Sequence, residues 1–188
     1  MKKRCWWPGE DPVYIAYHDE EWGVPVHDER LLFEFLSLEG QQAGLSWITV
    51  LKKRDHYRKS FRNFEIDKVA QMTDKSIEKL LLDTGLIRNR LKLYSIRSNA
   101  LAFKKVQKEF GTFDSYIWSF TGGNVLDGKR KTRKEVPATT DISDAMAKDL
   151  KKRDFKFIGS TICYALMQAA GLINDHTGNC FRYKELKN

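Results

Sequence analysis

Apolar residues recur at three- and four-residue spacing along most of this chain, and this period constrains its fold more than any other feature. The clearest case lies between Asp28, a good helix N-cap, and Gly44, a good helix terminator. Residues 160–170 are apolar on nearly every side, which predicts a buried central helix ended by Gly171. Strand-like alternation is absent, so we predict an all-α fold. Further helical segments are predicted at 46–51, capped by Ser46, 73–83, 96–110, 112–120, capped by Thr112, and 142–150.

The chain has 188 residues, which is room for about one domain. We expect a single domain over 1–188, with a helical body over about 28–170 and terminal segments at 1–27 and 171–188. Residues 122–137 are polar, basic and aperiodic, which predicts a loop. The sequence contains neither a long apolar run nor the pattern of a secretory signal. We therefore expect a cytoplasmic protein that does not enter a membrane.

Positive charge is in excess, with 33 Lys and Arg against 25 Asp and Glu, a formal net charge of +8. A basic surplus in a small domain indicates a polyanionic partner, with nucleic acid first. Three basic runs, at 52–54, 129–134 and 151–153, are candidates for phosphate contacts. Net charge alone does not identify a ligand, so an ordinary solvated surface is the alternative.

Four residues near the two ends of the chain have metal-binding side chains: Cys5, His18, His176 and Cys180. Two thiolates and two imidazoles suit a tetrahedral zinc ion, and four protein ligands would make its role structural. On spacing alone, Cys5 could equally be an incidental thiol and His176 a surface imidazole.

The other cysteine and histidines give weaker signals. Three cysteines cannot all pair in disulfides, and Cys163 lies in an apolar helix, which predicts a core thiol. His27 and His56 have no evident partners in the sequence and are predicted to be surface residues.

Glu39 follows Phe35 and Leu36 by three or four residues, which places its carboxylate on the face predicted to be buried. Burying a charge is unfavourable unless it is paired, so either a structural partner or a ligand is expected. Aromatic residues surround the predicted site, and ring faces attract cations. A pocket for a flat cation is one interpretation, and ordinary aromatic core packing is the other. The aromatic residues concerned are Trp6, Trp7, Tyr17, Trp22 and Trp47.

Several long motifs resemble the bacterial DNA-3-methyladenine glycosylase I family. They are Cys5-Trp6-Trp7, residues 11–19 (DPVYIAYHD), residues 21–25 (EWGVP), residues 38–47 (LEGQQAGLSW), residues 155–159 (FKFIG) and residues 174–176 (NDH). The similarity runs through nearly the whole chain and is weakest over about 111–137.

This resemblance implies an all-α helix-hairpin-helix glycosylase with a structural Zn²⁺ that joins the N- and C-terminal segments. It implies zinc ligation by the four terminal residues named above and a role in base-excision repair. The expected activity is hydrolytic release of 3-methyladenine from alkylated double-stranded DNA after base flipping. We expect a monomer. We also expect that it does not cleave the strand, because no Schiff-base lysine stands out.

The resemblance also assigns residues to the site. Glu39 is expected to hydrogen-bond the base as the catalytic residue, with Tyr17 and Trp47 holding it and Trp7 and Trp22 as further walls. Backbone amides near Gly159 and Ser160, at the segment that resembles the hairpin, are expected to hold a phosphate. Asp175 lies near the position of the superfamily's usual aspartate but closer to the hairpin, so we do not assign it as catalytic.

Leu45 lies between two predicted helices and is either a core residue or an exposed apolar tip. The resemblance favours insertion into the gap left by a flipped nucleotide, with Gly44 allowing close backbone approach.

Two functions of other classes remain open at this stage. A non-catalytic DNA-binding module would explain the charge and the metal ligands, but not the inward carboxylate. A hydrolytic zinc enzyme would need an open metal position, which four protein ligands would deny it.

Overall fold

The computed structural model describes residues 2–187, and most of them lie in α-helices. The helices are α1 (Pro12–Glu20), α2 (Glu29–Gln42), α3 (Trp47–Leu51), α4 (Arg54–Ser60), α5 (Ile66–Ala70), α6 (Asp74–Leu80), α7 (Arg90–Phe110), α8 (Phe113–Ser119), α9 (Asp141–Lys152), α10 (Ser160–Ala169) and α11 (Phe181–Glu185). Two 3₁₀ turns occur at Arg62–Phe64 and Arg133–Glu135. The mostly helical prediction is therefore confirmed.

Several predicted caps hold these helices in place. The Asp28 carboxylate accepts the amide of Leu31 at 2.8 Å, and Thr73 and Thr112 cap α6 and α8 in the same way. Ser46 occupies the N-cap position of α3, but its hydroxyl bonds the hydroxyl of Thr49 instead of a backbone amide. The helix starts were readable because short polar side chains satisfy amides that the first turn leaves unpaired.

One departure from the all-α prediction is a short parallel β pair. Strand β1 (Leu126–Asp127) lies in the segment 122–137 that was predicted to be a loop, and it pairs with β2 (Ile173–Asn174). Each strand has only two residues, too few to show an alternating pattern in the sequence. The pair ties the basic segment 122–137 to the C-terminal end of the chain.

The central helix is α2, not α10 as the sequence predicted. Residues 32–41 of α2 are buried without a break, and α2 packs against α3, α7, α8 and α10. Helix α10 is buried on one side only, since Thr161 is exposed and Ala165 and Gln168 are half-buried. Those two residues border a cavity, which explains why an apolar helix keeps an open face.

Candidate active site and metal centre

A cavity of about 230 Å³ lies between the N-terminal segment, the end of α2, α3 and α10. It brings together all five residues predicted to hold or to wall the base. Its lining consists of Trp6, Trp7, Tyr14, Tyr17, Trp22, Glu39, Gln42, Trp47, Val136, Ala165, Gln168 and Asp175. Half of these residues are aromatic, and the only carboxylates in that lining are those of Glu39 and Asp175.

Glu39 is buried, with 3% of its surface exposed, and its Oε2 has no hydrogen-bond partner within residues 2–187. Burial raises the pKa of Glu39 from 4.5 to about 8, because a desolvated carboxylate disfavours its charged form. Unsatisfied buried acceptors are rare in proteins, since each costs about 1–3 kcal/mol. The carboxyl group is therefore placed to receive a donor or a positive charge from a ligand.

The aromatic walls supply a second unsatisfied group. The indole Nε1 of Trp47 is buried and has no acceptor among the described residues. The ring of Trp47 lies 5.5 Å from that of Tyr17, and the rings of Trp7 and Trp22 lie 5.0 Å apart in an edge-on arrangement. The cavity is therefore lined by aromatic rings, and two of its lining residues, Glu39 and Trp47, each have a buried polar atom without a hydrogen-bond partner among the described residues.

Asp175 is the lining residue whose environment sequence reasoning missed. It is 1% exposed, and its carboxylate accepts from the side chains of Arg130, Tyr164 and Gln168 at 2.9, 2.6 and 2.8 Å. A Cβ at Gly128 would collide with this carboxylate, so glycine lets the 122–137 segment pass close by. The same segment brings Val136 to the cavity wall.

The four predicted metal ligands, Cys5, His18, His176 and Cys180, come together at the chain ends. All are buried, and their donor atoms lie within 4.8 Å of one another. Sγ of Cys180 lies 3.5 Å from both His18 Nε2 and His176 Nδ1, and Sγ of Cys5 lies 3.5 Å from His176 Nδ1. This cluster can hold a metal ion.

The remaining ring nitrogens of the two histidines are fixed by neighbours. His18 Nδ1 lies 2.7 Å from the Asp19 carboxylate, and His176 Nε2 lies 3.0 Å from the carbonyl oxygen of Trp22. Such bonds set which nitrogen of an imidazole faces a metal. They also connect the cluster to the cavity, because the rings of Trp7 and Trp22 pack edge-on against His18 and His176.

Comparison with known proteins identifies the lineage of this site. The model of a family described as methyladenine glycosylase matches residues 7–183. This chain belongs to that family.

Named relatives agree with this assignment. DNA-3-methyladenine glycosylase 1 of Escherichia coli (strain K12) is 50% identical over 181 residues, which cover 96% of this chain and 97% of the relative. A crystal structure described as 3-methyladenine DNA glycosylase I superposes with a TM-score of 0.93 at 51% identity, covering 95% of this chain and 98% of the other.

A further structure, from Staphylococcus aureus, is described as showing the basis of 3-methyladenine recognition. It has a TM-score of 0.92 and 37% identity over 95% of each chain. Membership in the methyladenine glycosylase family confirms the resemblance and the predicted enzyme class, a hydrolase of N-glycosidic bonds in DNA.

Leu45 lies at the tip of the turn between α2 and α3 and is 42% exposed. Of the two alternatives left by the sequence, core packing is excluded. Gly44 has a φ of +78°, in the left-handed region that favours glycine, and it carries the chain through the turn.

Residues 153–159 join α9 to α10 and include the segment 155–159 that resembles the hairpin. Gly159 occupies the N-cap position of α10 and has no side chain to cap the helix, so first-turn amides are open to another acceptor. The Ser160 hydroxyl is already engaged, with the Asp144 carboxylate and, at 2.8 Å, with the Ser143 hydroxyl. The Ser160 side chain is therefore disfavoured as a phosphate ligand, while the backbone amide of Ser160 remains available.

In each of the three basic runs, one arginine forms ion pairs with acidic side chains, and most of the lysines lie at the surface. Arg54 is 5% exposed and pairs with Glu34 and Glu21, so this residue of the candidate run 52–54 is not available to a phosphate. Arg130 pairs with Asp175, and Arg153 pairs with Glu109 and Asp149. Lys52 is exposed but pairs with Asp11, so the positive groups left for a partner are mainly Lys129, Lys131, Arg133, Lys134, Lys151 and Lys152, all of them exposed.

Three side chains set apart by the sequence lie outside this site. Cys163 is fully buried in the core, as predicted. His27 is exposed and His56 is half-buried, and both have partners: His27 bonds Asp114 at 2.8 Å and His56 bonds Asp83 at 2.7 Å. Within the described part of the chain, no helix combines the length and apolar character that a membrane span requires.

Proposed function

We propose that this chain releases 3-methyladenine from alkylated duplex DNA by hydrolysis, without cutting the strand. One observation carries the proposal: two residues that line the same aromatic cavity each have an unsatisfied polar atom, Glu39 Oε2 and Trp47 Nε1. A ligand that is flat, positively charged and equipped with hydrogen-bonding edges fits this combination. A purine methylated at N3 has these properties.

Release of such a base does not require strong general acid catalysis. A base with a fixed positive charge departs neutral, so the protein must extract it from the stack, recognise it, and support the charge that moves to the sugar. Glu39 would accept a hydrogen bond from the bound base, and the positive charge of the base would favour the ionised carboxylate. Tyr17 and Trp47 would hold the ring, with Trp7 and Trp22 behind them.

The cavity lining also bears on whether the strand is cut. Bifunctional glycosylases need an amine that attacks the sugar carbon. Within the described residues, the cavity lining includes no lysine. We therefore expect the abasic strand to leave intact.

DNA would be held by two elements besides the cavity. The exposed Leu45 would fill the gap left by the extruded nucleotide, as apolar wedges do. Open amides at the start of α10, from Gly159 onward, would receive a backbone phosphate in a helix-hairpin-helix arrangement. The exposed lysines would add salt-dependent attraction to the duplex.

Zinc is the metal that fits the Cys5, His18, His176 and Cys180 cluster. Zn–S and Zn–N distances of about 2.3 and 2.0 Å in a tetrahedron separate sulfur from nitrogen by about 3.5 Å. The three S–N separations of 3.5 Å match this edge. When bound, zinc would join the chain ends and fix Trp7 and Trp22 against the helical body; four protein ligands leave it a structural role.

The activity is tested by incubating the protein with methylated duplex DNA and identifying free bases by mass spectrometry. We expect 3-methyladenine well above the no-enzyme control, and little 7-methylguanine. An alkaline gel of the same reaction should show breaks only after chemical treatment of abasic sites. DNA binding without any base release would instead support a non-catalytic binding module.

The metal is tested separately by elemental analysis of the purified protein. We expect about one zinc per chain. Replacing Cys5 and Cys180 together should abolish the metal and lower the melting temperature, since ligation supplies folding free energy. Stoichiometric zinc in that double variant would refute the ligand set.

A further inference from the structure

Lys92, in the first turn of α7, is a buried lysine outside the cavity lining. It is 6% exposed, and its Nζ donates to the carbonyl oxygens of Gln41 at 2.8 Å and Ala43 at 2.6 Å. These carbonyls belong to the last turn of α2 and to the residue that follows it. Lys92 therefore anchors, by hydrogen bonds, the chain immediately before Gly44 and Leu45.

Hydrogen bonds also run in the opposite direction, from α2 to Lys92, and the network includes two further elements. The Gln41 side chain donates back to the carbonyl oxygen of Lys92 at 3.0 Å, and its Oε1 accepts the Tyr57 hydroxyl at 3.1 Å. That hydroxyl in turn accepts the amide of Ile87 at 3.1 Å. The end of α2 is thus joined to the start of α7, to α4 and to the turn before α7.

This arrangement is an unfavourable way to build a core. Burial lowers the pKa of Lys92, and the partners of its ammonium among the described residues are two carbonyl oxygens and no carboxylate. The carbonyl groups at a helix C-terminus carry partial negative charge, which compensates the ammonium in part. A buried polar network of this kind fixes geometry more effectively than it adds stability.

What the network fixes is the base of the 43–46 turn. Glu39 lies one helical turn earlier in α2, where Tyr17 and Trp47 pack from α1 and α3, so its position does not depend on Lys92 alone. The exposed tip at Leu45 has no comparable packing. A loss of the two Nζ bonds would therefore loosen the tip more than the cavity.

We propose that Lys92 is a positioning residue that holds the 43–46 turn so that Leu45 can enter duplex DNA, an inference that rests on the function proposed above. Lys92 touches neither the base nor the reacting atoms. Its effect on excision passes through Leu45 and appears only when a base must be extracted from a stacked duplex.

The test is a double-mutant cycle of Lys92→Met and Leu45→Ala, measured as single-turnover release of 3-methyladenine from methylated duplex DNA. Lys92→Met alone removes both Nζ bonds and should slow release about tenfold. In the Leu45→Ala background it should slow release less than about twofold, because the two residues act as one unit. The affinity for free 3-methyladenine, followed by tryptophan fluorescence, should remain unchanged.

Two controls separate positioning from other roles. Arg88→Met removes one exposed charge from the turn before α7 and should slow release less than Lys92→Met does. The salt dependence of DNA binding should be the same for Lys92→Met and wild type, whereas a lost phosphate contact would reduce its slope by about one. If Lys92→Met does not fold, Lys92→Gln keeps a donor that is too short to reach both carbonyls.

The outcomes are distinct. Equal slowing in both Leu45 backgrounds, a reduced salt slope, or a parallel loss of free-base affinity would overturn the positioning role. Wild-type release with no defect in Lys92→Met would do the same and leave the proposed activity standing. No release by the wild type would instead refute the proposed function itself.

Discussion

The two halves of α2 treat a buried carboxylate in opposite ways. Glu34 is fully buried and receives ion pairs from Arg30, Arg54 and Arg58. Burial acts to raise the pKa of Glu34, but hydrogen bonds from Arg58 and the charge of Arg54 outweigh it, so the net pKa is lowered. Glu39 lies five residues later, is equally withdrawn from water, has no such partner, and its pKa rises to about 8.

This contrast shows that burial alone does not mark a functional carboxylate. The arginines around Glu34 satisfy it within the fold, so it can serve only to hold α2 against α4. The aromatic rings around Glu39 withdraw it from water without replacing the lost hydrogen bonds. A positively charged ligand would supply the partner that the fold does not, which is the arrangement expected of a binding site for a cationic base.

The largest expected effect comes from breaking the satisfied carboxylate. Glu34→Gln should lower the free energy of unfolding by about 3–5 kcal/mol, because Arg54 would lose a charged partner in the interior. Urea denaturation measures it. Free 3-methyladenine affinity of the remaining folded protein should match wild type. A stability equal to that of wild type would mean that Glu21 alone suffices for Arg54.

The second prediction concerns the unsatisfied carboxylate. Glu39→Gln keeps the shape but removes the charge, so excision should fall by about two orders of magnitude, as it does when one well-placed electrostatic group is lost. Single-turnover release of 3-methyladenine measures this. Unlike Glu34→Gln, the variant should unfold at the same or higher denaturant concentration. A variant that folds normally and excises as fast as wild type would contradict the role of Glu39.

The same pair of residues shows what a sequence can reveal. Glu39 was recognisable because it follows Phe35 and Leu36 at helical spacing, so its burial could be derived locally. Glu34 was not singled out, since its partners Arg54 and Arg58 lie in α4, a helix that the apolar pattern did not predict. The inward direction of Arg54 was missed for the same reason.

Non-local pairing explains the other omissions. The Cys and His cluster that can hold a metal ion could be predicted, because the chemistry of these side chains is distinctive wherever they lie in the chain. Val136 and Asp175 line the cavity from two segments that the β1–β2 pair joins, and neither two-residue strand has a readable pattern. The position of Lys92 depends equally on a contact with α2, about fifty residues earlier in the chain.

The smallest effect is a pH dependence that distinguishes the two carboxylates without damaging the fold. The folded pKa of Glu39 is about 8 and the ordinary value is 4.5, so between these values the folded state holds one proton more than the unfolded state. Its contribution to stability is complete below pH 4.5 and is lost as the pH rises through 8. Glu34, with a lowered pKa, has the opposite sign, since its contribution is lost as the pH falls. The free energy of unfolding of wild type minus that of Glu39→Gln should therefore decline with rising pH between 5 and 7.5, by at most about 1.4 kcal/mol per pH unit.

Denaturation at several pH values measures this difference. All other titratable groups are common to both proteins, so their contributions cancel. A flat difference would show that the carboxyl group of Glu39 is solvated in solution, and the contrast between the two halves of α2 would then lose its electrostatic basis.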